Sequence, residues 1–202
     1  MKILVFDTET TGFINKKEFD LKKQPYIVQF AGILGELENG EYTELERINI
    51  FINPGIPIPY GASQVHHIYD IDVKDAPSMN TQIDTIMNFV NKADVLIGHN
   101  IEYDEDMLKL ELKRYEKGYL YSPDYVLCTM KSTVDFCALL GKGERFKYPK
   151  LGELYKKLFG EYFIGAHDAM TDVEATQKCF LELEKQGILN LGNKKQEILS
   201  LF

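Results

Sequence analysis

The alternation of apolar and polar positions predicts five β-strands. The chain opens MKILVFDTETTG, and alternate side chains of a strand point to the same side, so Ile3, Val5, Asp7 and Glu9 share one face. Apolar runs predict the other strands at residues 26–34, 44–52, 93–98 and 125–127. The first strand therefore presents a core face that becomes acidic at its end.

Helical periodicity predicts the other elements, at residues 81–91, 101–116, 129–140, 151–159 and 169–186. Residues 53–72 are rich in Pro and Gly and predict an ordered loop with a short helix. The first three strands form a meander with a turn at residues 38–40, and the later strands alternate with helices. We therefore expect an α/β fold with a mixed five-stranded sheet, three antiparallel meander strands plus parallel strands, flanked by helices.

Two predicted helices carry an aspartate on their apolar face. On a helical wheel Asp172 falls in the stripe of Ala169, Val173 and Phe180, and Asp104 falls among Ile101, Leu108 and Leu112. An unpaired inward carboxylate is costly, so it should pair, protonate or bind a cation. Both residues also lie near a helix start, where the dipole favours acids, and this is the alternative interpretation.

The four acids are expected to converge. Asp7 and Glu9 end one strand, and Asp104 follows another by one helical turn, at the edge where open α/β sheets place their sites. Carboxylates without a thiol or imidazole cluster suit Mg²⁺ or Mn²⁺, and two such ions can promote phosphodiester hydrolysis. His167, five residues before Asp172, is the candidate general base, with a packed histidine as the alternative.

Composition narrows the class of protein. The chain has 202 residues, 45% of them hydrophobic, which suits one globular domain, and a net charge of −8 argues against coating long stretches of nucleic acid. A short contact at a strand end is compatible with that charge. The basic segments 16–23 and 142–150 are interpreted as solvated loops. The opening residues lack a signal-peptide core and no apolar run spans a membrane, so we expect a cytoplasmic protein with reduced cysteines.

Three ordered motifs now identify a resemblance. FDTETTG contains Asp7 and Glu9, GHNIEYDEDML contains Asp104, and AHDAMTDVEAT contains His167 and Asp172. The chain resembles the DEDDh 3′–5′ exonucleases, the family of the bacterial polymerase III proofreading subunit, on the ribonuclease H-like fold. The resemblance implies that Asp7 bridges two divalent cations, Glu9 and Asp172 complete one site, Asp104 holds the second ion and His167 is the general base.

The resemblance also implies a set of substrate contacts. The backbone of the loop after the first strand and an apolar wedge would contact the terminal nucleotide, with a loop histidine and a helix-capping asparagine nearby: Thr10, Thr11, Gly12, Phe13, His66 and Asn100. His66 stands in VHHI, where the family usually has His followed by Gly, so His67 is a departure.

The resemblance implies hydrolysis at the 3′ end of single-stranded DNA, releasing nucleoside 5′-monophosphates in proofreading or repair. A 3′–5′ exoribonuclease acting on RNA or short oligoribonucleotides, a hydrolase of small phosphoesters and a non-cutting 3′-end binding module are the alternatives. The implied partners are a nucleic-acid 3′ end and a DNA polymerase or sliding clamp, with no membrane.

The chain is expected to divide into an exonuclease domain, 1–187, and a C-terminal tail, 188–202. The tail ends in residues that resemble clamp-docking peptides, with Leu199, Leu201 and Phe202 as anchors, although Ile198 occupies the place of the usual Gln. The alternative is an amphipathic turn that packs on the domain.

Overall fold

The fold is built on one mixed sheet. The computed structural model describes residues 1–143 and 145–191. Its strands are β1 (Lys2–Thr10), β2 (Ile27–Glu38), β3 (Glu41–Phe51), β4 (Val95–Gly98) and β5 (Tyr125–Cys128), in the order β3-β2-β1-β4-β5. β1, β2 and β3 pair antiparallel, whereas β4 and β5 run parallel to β1. The predicted mixed five-stranded sheet and its meander are confirmed.

Eight helices accompany the sheet in the described residues. They are α1 (Tyr60–His66), α2 (Asp70–Val73), α3 (Met79–Val90), α4 (Ile101–Arg114), α5 (Thr129–Ser132), α6 (Val134–Cys137), α7 (Leu151–Phe159) and α8 (Ala169–Lys185). The single helix predicted at 129–140 is wrong. Two short helices replace it, since the Thr133 hydroxyl donates to the Thr129 carbonyl at 2.7 Å and Ala138 turns left-handed at φ 51°.

Alternation along β1 divides the core into two layers. Leu4 and Phe6 pack with α3 and α4 on one face, while Ile3 and Val5 pack with α8 on the other. The same alternation directs Asp7 and Glu9 toward the α8 face, as the sequence pattern predicts. The acidic end of β1 therefore meets the first turn of α8.

The carboxyl ends of β1, β4 and β5 lie at one edge of the sheet because these strands are parallel. The turn from β4 into α4 is tight: a Cβ on Gly98 would approach the Cβ of Ile101 to 2.9 Å. Asn100 occupies the N-cap position of α4 with φ 75°, but its side chain makes no cap hydrogen bond. The expected side-chain cap is wrong. Asparagine suits this position because it tolerates a left-handed backbone.

The end of the described chain packs against the domain. Leu189 and Leu191 are buried in the same apolar cluster as Val173 and Phe180 of α8. The boundary between residues 187 and 188 stays a prediction. Leu199, Leu201 and Phe202 lie outside the described residues. Among the helices that the structure describes, none is both long and apolar enough to cross a membrane.

A buried ion pair attaches the loop between β1 and β2 to α4. Arg114 lies 2.7 Å from the fully buried carboxylate of Glu111, which accepts the backbone N–H of Ile27 at 3.1 Å. The same guanidinium donates to the carbonyls of Leu21, Gln24 and Pro25. These contacts supply hydrogen-bond partners for loop carbonyl groups that have no partner in a helix or strand.

Replacing Arg114 with Leu is expected to lower the free energy of unfolding by about 3–5 kcal/mol, because it leaves a buried carboxylate unpaired. Urea denaturation measures the change. Arg47→Leu is the matched control, since Arg47 and its partners Glu44 and Glu174 are each about two-fifths exposed, and we expect a loss below about 1 kcal/mol. Equal losses in the two variants would contradict this account.

Candidate active site

Three carboxylates converge where β1 meets α8. Asp7, Glu9 and Asp172 each offer one carboxylate oxygen, and these three oxygens lie within 4.8 Å of one another. The Oδ2 atom of Asp172 accepts the backbone N–H of His167 at 3.1 Å, while its Oδ1 is buried with no hydrogen-bond partner among the described residues. A cation coordinated here would satisfy that orphaned oxygen.

Asp104 lies beside this cluster and is held by β1. Its carboxyl group is buried, and Oδ1 accepts both the backbone N–H and the hydroxyl of Thr8, at 3.0 and 2.7 Å. Because Thr8 lies between Asp7 and Glu9 in β1, Asp104 is close to both, and its charge raises the pKa of each. The helix dipole therefore does not by itself account for Asp104, because its principal hydrogen-bond partner, Thr8, lies on strand β1 and not on α4, the helix that carries Asp104.

Burial and repulsion from neighbouring carboxylates raise the pKa values of all four acids. Desolvation is the largest cause in each case, and it raises the pKa of Glu9 to about 8, of Asp104 to about 7 and of Asp172 to about 6. The pKa of Asp7 is raised well above its usual range by burial and by the charges of Asp104 and Glu9. Protons or a divalent cation must therefore offset the charge at neutral pH, and an all-oxygen ligand set fits a hard cation.

His167 is placed to act on a group bound at the acids. It is exposed, has a left-handed backbone with φ 71°, and donates its backbone N–H to Oδ2 of Asp172 at 3.1 Å. It also lines a cavity of about 770 Å³ together with His66, His67 and Asp168. The imidazole is thus solvent-accessible beside the carboxylates, as proton transfer to or from water requires.

Gln29 is a supporting residue that the sequence analysis missed. It is fully buried on β2 opposite Glu9, and its amide donates to Asp168 at 3.1 Å and accepts the backbone N–H of Ala169 at 3.2 Å. Asp168 in turn caps α8 by accepting the N–H of Thr171 at 3.0 Å. This chain of hydrogen bonds fixes the start of α8 against β2. The sequence feature that could have identified Gln29 is its position as a polar residue inside the apolar run IVQFA.

The predicted nucleotide-contacting loop lies next to the acids. The hydroxyl of Tyr103 donates to the carbonyl of Gly12 at 2.6 Å and lies 2.8 Å from Thr10 Oγ1. Thr11 closes the base of the loop by donating its N–H to the Tyr26 carbonyl at 2.9 Å. Phe13 is 90% exposed, with its ring edge-on to Tyr103 at 6.1 Å. The apolar ring therefore stands free in solvent near the site.

The side chain of His66, expected to contact substrate, does not face solvent. It is buried, its Nδ1 accepts the N–H of Ile68 at 3.1 Å, and its ring faces the backbone of Thr10. Burial lowers its pKa, so the neutral form is favoured. His67 ends α1 with φ 58°, a left-handed position that glycine adopts without strain, which explains the glycine that is usual there.

The fold and site define the class of protein: an α/β nuclease with carboxylates arranged for divalent cations at the end of its first strand. A family model described as "Exonuclease", RNase_T, matches residues 4–180. The chain belongs to this exonuclease family, and the resemblance found from the three motifs is confirmed.

Relatives and solved structures agree with this family. A DNA polymerase III subunit epsilon-like protein of Rhodobacter capsulatus is 28% identical over 98% of the chain, which spans 26% of that protein. The DNA polymerase III subunit epsilon of Rickettsia conorii is 27% identical over 91% of the chain and 74% of its own length. The zinc-bound E. coli exonuclease I–single-stranded DNA complex has the same fold, with a TM-score of 0.71, 20% identity, and coverage of 92% of this chain and 40% of that one.

The acids predict a pH-dependent response to metal. Because the folded-state pKa values of these four acids are raised, their contribution to the stability of the metal-free protein is fully present below the unfolded values near 4 and is lost as pH rises through about 6–8. Mn²⁺ at about 100 times its Kd should restore about 2.7 kcal/mol at pH 8, which corresponds to roughly 5–10 °C in Tm. Thermal unfolding in EDTA and in Mn²⁺ across this range measures the effect.

Asp7→Asn provides the control for that measurement. Removing one repelling charge should raise the Tm of the metal-free protein at pH 8 and abolish the response to Mn²⁺. A variant that kept the full Mn²⁺ response would contradict the metal site.

Gln29→Leu is expected to weaken Mn²⁺ binding about 10- to 100-fold, since it removes the amide group that holds the start of α8. Calorimetric titration measures the affinity. Gln177→Leu is the matched control, because Gln177 lies farther along α8 and bonds to Tyr42 at 2.6 Å. Equal affinities in the two variants would exclude a positioning role for Gln29.

Proposed function

We propose that this protein is a two-metal-dependent 3′–5′ exonuclease that hydrolyses phosphodiester bonds at the 3′ end of single-stranded DNA. It releases nucleoside 5′-monophosphates, in DNA replication proofreading or repair. The observation that carries the proposal is the convergence of Asp7, Glu9 and Asp172 within 4.8 Å beside an accessible His167. Mg²⁺ or Mn²⁺ is the proposed pair of ions, because every ligand in the site is a carboxylate oxygen.

Each residue has a defined part in this proposal. Asp7, Glu9 and Asp172 would hold one divalent cation, and Asp7 and Asp104 would hold the second, with Oδ1 of Asp104 fixed in place by Thr8. Bound divalent cations would supply the Lewis acidity for phosphodiester hydrolysis. His167 takes the proton from the attacking water, and its exposed position lets it pass that proton to solvent.

The loop at the end of β1 would orient the terminal nucleotide. Tyr103 fixes the Gly12 carbonyl and supports the ring of Phe13 from its edge. An exposed aromatic ring beside the acids offers a stacking surface for the terminal base, and such stacking is worth about 1–3 kcal/mol per base. Neither aromatic ring distinguishes deoxyribose from ribose, so RNA remains the alternative substrate. The cytoplasmic location expected from the sequence stays a prediction.

Similar proteins support the choice of DNA. The epsilon-like relatives are named for DNA polymerase III, and the exonuclease I structure contains single-stranded DNA. Association with a DNA polymerase is proposed on the same ground. The sliding clamp is a further proposed partner and rests on the sequence resemblance of the tail, whose anchor residues lie outside the described part of the chain.

A time course with 5′-labelled single-stranded DNA and Mn²⁺ tests the proposal. We expect a ladder of progressively shorter labelled products, since removal from the 3′ end keeps the label on the shortened strand. Asp7→Ala should abolish the ladder, and His167→Ala should lower kcat by about 10²–10⁴-fold. Asp84→Asn is the matched control, because this exposed carboxylate pairs with Lys117 in the described structure.

The alternatives give different results in the same assay. A labelled mononucleotide released from the start would show 5′–3′ polarity, and degradation of RNA but not DNA would reverse the substrate assignment. If wild type and Asp7→Ala bind the strand equally and neither cuts it, the protein is a non-cutting module that binds 3′ ends.

A further inference from the structure

The loop between β1 and β2, residues 13–25, combines a fixed backbone with an exposed basic and aromatic surface. Phe19 is 89% exposed, almost as exposed as Phe13 on the same loop. Four lysines of this loop are also exposed: Lys16, Lys17, Lys22 and Lys23. A single exposed apolar residue is common on a protein surface, but here an exposed aromatic ring shares one loop with four exposed cations.

Hydrogen bonds from inside the loop fix its backbone. The amide of Gln24, which is buried, accepts the N–H of Asn15 at 3.0 Å and donates to the carbonyls of Asn15 and Glu18 at 2.7 and 2.6 Å. Asp20 accepts the backbone N–H of Lys22 at 3.0 Å. The loop is thus folded around one buried amide, and its lysines and Phe19 lie on the outside.

Contacts from α4 hold the same loop in place. Arg114 donates to the carbonyls of Leu21, Gln24 and Pro25 and stacks over the ring of Tyr26 at 3.8 Å. An arginine that is buried and paired in this way has little freedom to move. The backbone that carries the surface is therefore held in one conformation, which lowers the entropy lost when a ligand binds.

The loop begins beside the acidic cluster. Its first residue, Phe13, follows the end of β1 at Thr10 by three residues and packs edge-on against Tyr103 on α4. The six peptide units that separate Phe13 from Phe19 span at most about 20 Å. A strand whose terminal nucleotide lies at the acids could therefore extend across Phe19 and the lysines.

The charge of the loop indicates the class of ligand. It carries four lysines and two acids, a positive balance in a chain of net charge −8. Both acids are engaged in the loop itself: Asp20 accepts from Lys22, and Glu18 accepts the N–H of Asp20 at 2.9 Å and lies 3.7 Å from Lys23. Lysines beside a free aromatic ring suit a ligand with phosphates and flat bases.

We propose that Phe19 and the lysines of residues 16–23 form a second contact surface for single-stranded nucleic acid, upstream of the nucleotide that is removed. This inference rests on the proposed function and names where the rest of the strand lies. Phe19 stacks on a base, and the lysines bind phosphates. The surface contributes to strand affinity and not to the chemical step.

Steady-state kinetics on two substrates test the surface. The first is a thymidine homo-oligomer, which can reach the loop, and the second is the nitrophenyl ester of thymidine 5′-monophosphate, which cannot. The lysine variant is Lys16→Gln with Lys17→Gln. Its matched control is Lys178→Gln with Lys185→Gln, two exposed lysines of α8 that make the same charge change away from the loop.

The loop variants are expected to raise KM for the oligomer and leave its kcat unchanged. Removing two phosphate contacts should reduce the slope of log(kcat/KM) against log[salt] by about 1.4. Phe19→Ala should raise KM roughly fivefold to a hundredfold through lost stacking. Hydrolysis of the ester should match wild type in both variants, as should every measurement on the control.

Each other outcome overturns the inference. Loop variants that match wild type on the oligomer would show that the strand does not cross the loop, and the surface would then suit a protein partner. Equal losses on the ester would mean that the loop acts through the catalytic groups. A wild-type protein that cleaves neither substrate would instead reject the proposed function, so the two failures are distinguishable.

Discussion

Repulsion between carboxylates at the end of β1 is the constraint on which the rest of the structure depends. Asp7, Glu9 and Asp172 bring oxygens within 4.8 Å of one another in a partly buried site, and the charge of Asp104 further raises the pKa values of Asp7 and Glu9. Such a group is unstable by itself at neutral pH. It persists only if the surrounding structure holds each acid in place and a cation or proton offsets the charge.

The supporting structure is largely made of hydrogen bonds between elements distant in sequence. Thr8 fixes the carboxylate of Asp104, and Gln29 fixes the start of α8 through Asp168 and Ala169. These contacts cross between strands and helices rather than following one helix or hairpin. The acids are therefore preorganised by the sheet edge itself, which limits the rearrangement required when cations bind.

The same edge also determines where a substrate could lie. Parallel pairing of β1, β4 and β5 places their carboxyl ends together, so the loop after β1 and the first turn of α4 are neighbours. Tyr103 joins them by bonding to the Gly12 carbonyl. Further along the loop, Arg114 continues the attachment to α4. The acids and the exposed aromatic rings are thus held on one framework.

The sequence by itself determined the elements and the acids, because strand alternation and helical periodicity are local: Asp7 and Glu9 follow from period two, and Asp104 and Asp172 from misplaced polarity on a wheel. Only the tertiary structure decided the partners. Gln29, Asp168 and the Glu111–Arg114 pair acquire their roles from contacts across the fold, which no local pattern encodes. The helix predicted at 129–140 is replaced by the two short helices α5 and α6, and Asn100 contributes a left-handed backbone rather than a side-chain cap. Both features depend on turns whose conformation is determined by contacts with the rest of the fold.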